Sequence, residues 1–201
     1  MGYGVGAFPF SHSSSTAYSN NDYTGTCGST FPGRDNVYYW FSGCCSTAVS
    51  ANLCNSNYDT GLYVRESTCA GTVVACDDDA CVSPNGLGSS LTFNARPNTD
   101  YYFFVDGYYT NAGGTYTLSV TGALAGEPAA SNDLCSGSLA IGGVPYTHSS
   151  STCSATNNRV NCIGSTSRDV FYTLNLATCQ TVTVSTCGSC YDTAIEVLTG
   201  G

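Results

Sequence analysis

Apolar and polar residues alternate with a period of two in several short segments of this chain. Thr117-Leu118-Ser119-Val120-Thr121 and Thr181-Val182-Thr183-Val184-Ser185 are the clearest, and the period predicts strands with one buried face. Thr72-Val73-Val74-Ala75, Leu91-Thr92-Phe93 and Tyr101-Tyr102-Phe103-Phe104-Val105 supply further apolar runs rich in β-branched and aromatic residues. Turn-forming residues fall between such segments at Asn85-Gly86, Asp106-Gly107 and Ala112-Gly113-Gly114. No window sustains the 3.6-residue apolar stripe of an amphipathic helix, because Gly and β-branched residues interrupt each candidate. About eight short strands over roughly 120 residues predict an all-β fold, a two-sheet β-sandwich of jelly-roll or immunoglobulin-like type.

The pattern also repeats. At a displacement of 133 to 136 residues, Val5–Thr16 matches Ile141–Thr152, including a His-Ser-Ser-Ser-Thr run at His12 and at His148. Arg34–Phe41 then matches Arg168–Leu174, and Cys54–Thr60 matches Cys187–Thr193, in the same order. This organisation predicts a first sandwich module over residues 1–122, a small-residue linker over 123–130, and the first half of a second, homologous module over 131–201. The second lacks counterparts of residues 68–121, the segments that would complete a core. Half a sandwich exposes an apolar face and open strand edges. The expectation is therefore that the chain continues past Gly201 or that another subunit supplies strands.

Composition narrows the functional classes. The 201 residues carry five Arg, no Lys, 14 acidic residues and a net charge of −9. This balance argues against nucleic acid as a partner, since phosphate binding needs clustered cations, and against an anionic membrane surface for the same reason. No run approaches the length of a membrane-spanning segment, and the opening Met1–Phe10 lacks the basic start of a secretion signal. Thirteen Cys and 51 Ser or Thr point to an oxidising compartment, extracellular or at the cell surface, with disulfides supporting a modest core. Zinc is disfavoured: Cys187-Gly188-Ser189-Cys190 is a single Cys-x2-Cys without a second half.

Several blocks resemble the bacterial pre-peptidase C-terminal domain family. They are Ser131-Asn132-Asp133-Leu134-Cys135 at a module start, Arg168-Asp169-Val170-Phe171-Tyr172, Tyr58-Asp59-Thr60-Gly61-Leu62-Tyr63-Val64, Ala75-Cys76-Asp77-Asp78-Asp79, and Tyr101–Tyr108 followed by Gly114–Leu118. The resemblance implies a secreted β-sandwich that accompanies exported proteins as an accessory, targeting or structural unit. Some members of that family bind calcium. The departures here are the absence of a catalytic domain and the high Cys count.

Asp77, Asp78 and Asp79 form the candidate calcium site, because hard cations take oxygen ligands and a disulfide closing the loop between Cys76 and Cys81 would hold the carboxylates together. His12 and His148 fall at equivalent positions, which argues for a structural role, and no Gly-x-Ser-x-Gly elbow is present. Asp59 and Asp192, each in Tyr-Asp-Thr before a strand, read as turn caps. Ser13, Ser14, Ser15 and Thr16, with Ser149, Ser150, Ser151 and Thr152, are candidates for O-linked sugar. Repeat equivalence suggests the disulfides Cys45–Cys54 and Cys179–Cys187, and the odd Cys total leaves one thiol without an internal partner.

Two functions are compatible with these features. One is a non-enzymatic subunit of an extracellular fibre or surface appendage, with copies of the chain as partners joined head to tail by strand complementation. The other is a carbohydrate- or matrix-binding accessory module of a larger secreted enzyme. It requires several of Tyr38, Tyr39, Trp40, Tyr101, Tyr102, Tyr108 and Tyr109 to lie exposed on one face.

Overall fold

A computed structural model of the chain describes residues 2–81, 86–126, 128–164 and 166–199. The chain divides into two compact units, Met1–Ala125 and Gly126–Gly201. Among the described residues the first unit contains the strands β1 (Tyr3–Gly4), β2 (Phe10–Ser15), β3 (Gly25–Thr26), β4 (Thr30–Phe31), β5 (Asn36–Phe41), β6 (Thr47–Asn52), β7 (Thr60–Glu66), β8 (Val73–Asp77), β9 (Ser90–Ala95), β10 (Asp100–Gly107) and β11 (Thr115–Leu124). They build a β-sandwich of a five-stranded sheet, in the order β1-β5-β10-β7-β8, and a four-stranded sheet, β2-β11-β6-β9. The Asp106-Gly107 pair expected as a turn ends β10 instead. Asn85 of the expected Asn85-Gly86 turn lies outside the described residues.

Strand parity explains the core between the sheets. In β5, Tyr38 and Trp40 point inward while Tyr39 and Phe41 point outward. β10 adds Tyr101, Phe103 and Val105 to the same interior, β7 adds Leu62 and Val64, and β11 adds Tyr116, Leu118 and Val120. The Tyr hydroxyls brought inside all find partners: Tyr38 is 2.8 Å from both Tyr116 and His12, Asn36 Nδ2 donates to Tyr116 at 2.8 Å, and the Arg96 amide donates to Tyr101 at 2.8 Å. Tyr3 stacks on the His12 ring at 4.2 Å.

A second core lies on the outside of the five-stranded sheet. Phe31, Tyr63 and Phe104 are fully buried there, with the Tyr63 and Phe104 rings stacked in nearly parallel planes, centroids 4.6 Å apart. The segment carrying β3 and β4 folds over this face, and the Cys27–Cys76 disulfide fastens it to β8. The lid fits closely, since a side-chain carbon on Gly61 would lie 2.5 Å from the Phe31 ring. Gly33 and Gly107 touch backbone to backbone, where such a carbon would lie 2.4 Å from the Gly107 Cα. Asp35 holds the lid's entry by accepting from the amides of Asp22 and Tyr23 at 2.8 and 2.9 Å.

The second unit repeats local contacts of the first. Leu139–Ile141 (β12) pairs in parallel with Tyr172–Leu174 (β13), as β1 pairs with β5. His148 is 2.9 Å from the Tyr172 hydroxyl and Thr152 is 3.0 Å from that of Tyr191, matching His12–Tyr38 and Thr16–Tyr58. Asp169 accepts from the amides of Asn158 and Arg159. Thr181–Ser185, expected as a strand, is not one. Its counterpart β6 is held by β11 and β9, and the described residues of the second unit contain no strands in those places.

The disulfides correct the sequence expectations. Cys54 bonds to Cys81 and Cys76 to Cys27, so neither the Cys45–Cys54 pair nor a loop closed between Cys76 and Cys81 forms. Cys45 is engaged in a different disulfide. Cys179 and Cys187 are both free thiols. The repeat located equivalent cysteines but not their partners, which come from the strands between the repeats. Thr16 is fully buried, its hydroxyl donating to Tyr58 at 3.1 Å, and therefore offers no acceptor for sugar. Ser13, Ser149, Ser150 and Ser151 are exposed, whereas Ser14, Ser15 and Thr152 are half-buried.

Two outcomes follow for stability. Asp106 is wholly buried, and burial raises its carboxyl pKa to about 7. The native state then binds a proton that the unfolded chain releases near pH 4, so stability declines as pH rises from about 4 to about 7, by up to about 4 kcal/mol. Denaturant melts of Asp106→Asn are expected to show a shallower decline over that range, the remainder belonging to Asp78 and Asp59, whose carboxyls are also raised; an unchanged slope assigns it elsewhere. Replacing Cys54 and Cys81 together by Ser opens a loop spanning 27 residues and is expected to cost about 3–4 kcal/mol, measured by urea unfolding.

Candidate functional site

Two clusters of side chains lie at opposite ends of the five-stranded sheet. The first is acidic. β7 and β8 are antiparallel, with Leu62 opposite Asp77, so the residue entering β7 and the residues leaving β8 come together. Asp59, Asp78 and Asp79 each place a carboxylate oxygen within 4.8 Å of the others. Asp59 Oδ1 and Asp78 Oδ1 are buried and without a hydrogen-bond partner. Burial, reinforced by Asp79, Asp59 and Asp77, pushes the Asp78 carboxyl up to about 6. Burial first and Asp79 second also raise that of Asp59. Among the described residues the ion pairs are Arg96–Glu66 and Arg159–Glu196, so no Arg pairs with this cluster.

This donor set suits a hard divalent cation. Ca2+ binds oxygen at about 2.3–2.6 Å, so two ligands of one ion sit up to about 5 Å apart, and the two orphaned oxygens are acceptors without a donor. The expected triad changes by one member. Asp77 is not part of it, because its Oδ2 accepts from the amides of Ala80 at 3.0 Å and Ser90 at 2.8 Å, tying β8 to the start of β9. Asp59 takes its place. The expected turn-cap role of Asp59 thus gives way to a place in the cluster, and the signal for it in the sequence is the hairpin pairing of the strand that begins at Thr60 with the strand that ends at Asp77. The Cys54–Cys81 disulfide anchors the turn that carries Asp78 and Asp79.

The second cluster is aromatic. The lid buries the outer sheet face fully at Tyr63 and Phe104, and leaves the end where β5 finishes and β10 begins more open, with Tyr102 half-buried against that core. There Tyr39 is 36% exposed and Phe41 50%. Tyr102 lies opposite Tyr39 in the sheet, their rings 5.5 Å apart. The Tyr39 hydroxyl donates to Asp100 Oδ1 at 2.7 Å, a bond that raises its pKa, and burial raises that of Tyr102. Arg65 marks the boundary with the buried part. Its guanidinium lies 5.3 Å from the Tyr63 ring and 5.2 Å from Phe104, and it donates to the carbonyls of Cys69 and Thr24.

Of the aromatic residues named from sequence, Tyr38, Trp40 and Tyr101 are core. Tyr39 and Tyr102 share the outer face. Tyr109 is exposed, packed edge-on against Tyr108 at 4.8 Å, in the connection after β10. Phe41 was not named, although its alternation with Trp40 marks it as outward once Trp40 is inward. His12 and His148 are each bound to a Tyr hydroxyl.

No protein-family profile matches the chain, and no curated protein matches it. Among solved structures, the pre-peptidase C-terminal domain of a collagenase from Bacillus anthracis is similar at 19% identity and a TM-score of 0.40, covering 60% of this chain and 95% of that one. A periplasmic lysozyme inhibitor of g-type lysozyme from Salmonella Typhimurium is similar at 12% identity and a TM-score of 0.36, covering 61% and 98%. CsCBM6-3 from Clostridium stercorarium, in complex with cellobiose, is similar at 16% identity and a TM-score of 0.33, covering 56% and 87%.

If Asp59, Asp78 and Asp79 hold calcium, the ion stabilises the native state by mass action. Thermal melts in excess Ca2+ against EDTA are expected to differ by several degrees for the wild type and to coincide for Asp59→Asn/Asp79→Asn. Coincident wild-type melts reduce the cluster to an acidic turn without a bound ion.

Proposed function

We propose that the chain is a non-catalytic accessory module of a secreted protein, binding neutral polysaccharide across the Tyr39–Phe41–Tyr102 face. The observation that carries this reading is the aromatic cluster, held outward on a sheet that is rigid because its other face is core. Aromatic rings of this kind offer flat apolar surface to the C–H face of a pyranose ring, and Asp100 beside them offers an acceptor for sugar hydroxyls. Successive outward positions on one strand lie about 7 Å apart, so Tyr39 and Phe41 present a line rather than a pocket, suited to a chain ligand. The net charge of −9 favours a neutral polymer, since a polyanion would be repelled. Disulfides in the structure suit the oxidising space in which such polymers are met. Both histidines serve Tyr hydroxyls, which supports a binding rather than a hydrolytic role.

The test is sedimentation with insoluble cellulose, chitin and mannan. Wild type is expected to sediment with at least one of them, and Tyr39→Ala/Phe41→Ala to bind it about tenfold more weakly, equivalent to about 1.4 kcal/mol, while still unfolding in one cooperative transition, since both residues lie outside the two cores. Equal binding by the variant, or no binding of wild type to any of the three, refutes the reading.

A further inference from the structure

The repeated contacts allow residue-by-residue comparison of the two units, and the comparison isolates a pair of thiols. Cys187 stands four residues before Tyr191 as Cys54 stands four before Tyr58, and both tyrosines hold the matching Thr, Thr152 and Thr16. Cys162 lies between the amides held by Asp169 and Asp169 itself, as Cys27 lies between the amides held by Asp35 and Asp35. In the first unit Cys27 and Cys54 are bonded to Cys76 and Cys81, which stand five residues apart at and beyond β8. In the second unit Cys162 and Cys187 are exposed free thiols.

An apolar surface accompanies them. Ile195 and Val197 occupy the positions of Leu62 and Val64 in Tyr-Asp-Thr-x-φ-x-Val, where φ is an aliphatic residue. Leu62 and Val64 are fully buried on β7, the strand that pairs with β8, whereas Ile195 is 43% and Val197 81% exposed. The second unit thus presents the two sulfurs that fasten a β8-like strand, together with the uncovered residues of the strand beside which it would lie.

We propose that the second unit is an acceptor for an extended partner segment bearing Cys-x4-Cys, bonded through its first Cys to Cys162 and through its second to Cys187. Val73–Cys81 of this chain cannot serve, because its cysteines are already engaged. The occupant is therefore a further segment of β8-like chemistry: a β-branched apolar run entering the first Cys and a polar turn between the two. Each bond forms by thiol–disulfide exchange with a disulfide donor such as oxidised glutathione. Two thiols lose two electrons and two protons to become one disulfide, and one glutathione disulfide is reduced to two glutathione thiols. This goes beyond the polysaccharide reading and does not depend on it, since the face around Tyr39 belongs to the first unit.

The probe is a synthetic peptide with the sequence of Thr72–Cys81, mixed with the full chain in a glutathione redox buffer and mapped by mass spectrometry. The expected product joins Cys162 to the peptide's first Cys and Cys187 to its second, in preference to Cys135 or Cys179. Cys187→Ser is expected to lose only the second link, and Cys162→Ser only the first. A control peptide with the two Cys adjacent is expected to form at most one of the links. Adducts spread evenly over the four exposed thiols, reversed pairing, chain–chain dimers formed in preference to the peptide adduct, or no adduct each overturn the proposal.

Discussion

Strand β10 buries side chains on both of its faces, and that single condition organises the first unit. Tyr101, Phe103 and Val105 fill the space between the sheets, while Phe104 and Asp106 on the opposite side would meet water without cover. A sheet in a two-layer sandwich ordinarily shows one solvated face. Here the segment from Ala17 to Asp35 is recruited as a third, partial layer. The lid's needs then account for features that look unrelated in the sequence: Gly61 leaves room for the Phe31 ring, Gly33 and Gly107 let two backbones touch, Asp35 gathers two amides, and Cys27 bonds to the neighbouring β8. The lid is too short to reach the far end of the sheet, so the aromatic face is the part of the strand surface that it leaves more open.

Much of this architecture was legible in the chain. The alternation in Thr117–Thr121 lies within β11, and the runs at Leu91–Phe93 and Tyr101–Val105 lie within β9 and β10. These strands are read correctly because a half-buried strand writes its environment into every second residue. The equivalence of His12 with His148 also carries through to matched Tyr partners. Thr181–Ser185 shows the limit. It has the same alternation, yet periodicity records which face a strand would bury and is silent on whether neighbours exist to pair with it.

The candidate sites were legible only in part, for a related reason. Asp77, Asp78 and Asp79 are adjacent in sequence, but consecutive residues at a strand end point in different directions, so one of them turned to the backbone of β9 and the other two toward Asp59. Which residues meet across a hairpin depends on register, and register is a property of the pair. The same holds for the cysteines: composition established that disulfides were expected, and repetition identified equivalent positions, but Cys27 and Cys54 found partners on β8 and just after it, in the one stretch the repeat does not duplicate.

The two mapped disulfides overlap in sequence, since Cys54 lies inside the span closed by Cys27 and Cys76. Under tension along the chain, the bond from Cys27 to Cys76 is a shortcut that takes β4, β5, β6, β7 and most of β8 out of the load path. Force entering from either end is carried instead by β1 and β2 on one side and by β9, β10 and β11 on the other. Within the five-stranded sheet, β10 then stands as a load-bearing strand between β5 and β7, both of which the shortcut relieves. The covalent shortcut therefore divides the aromatic face, with Tyr39 and Phe41 of β5 inside the closed span and Tyr102 of β10 outside it.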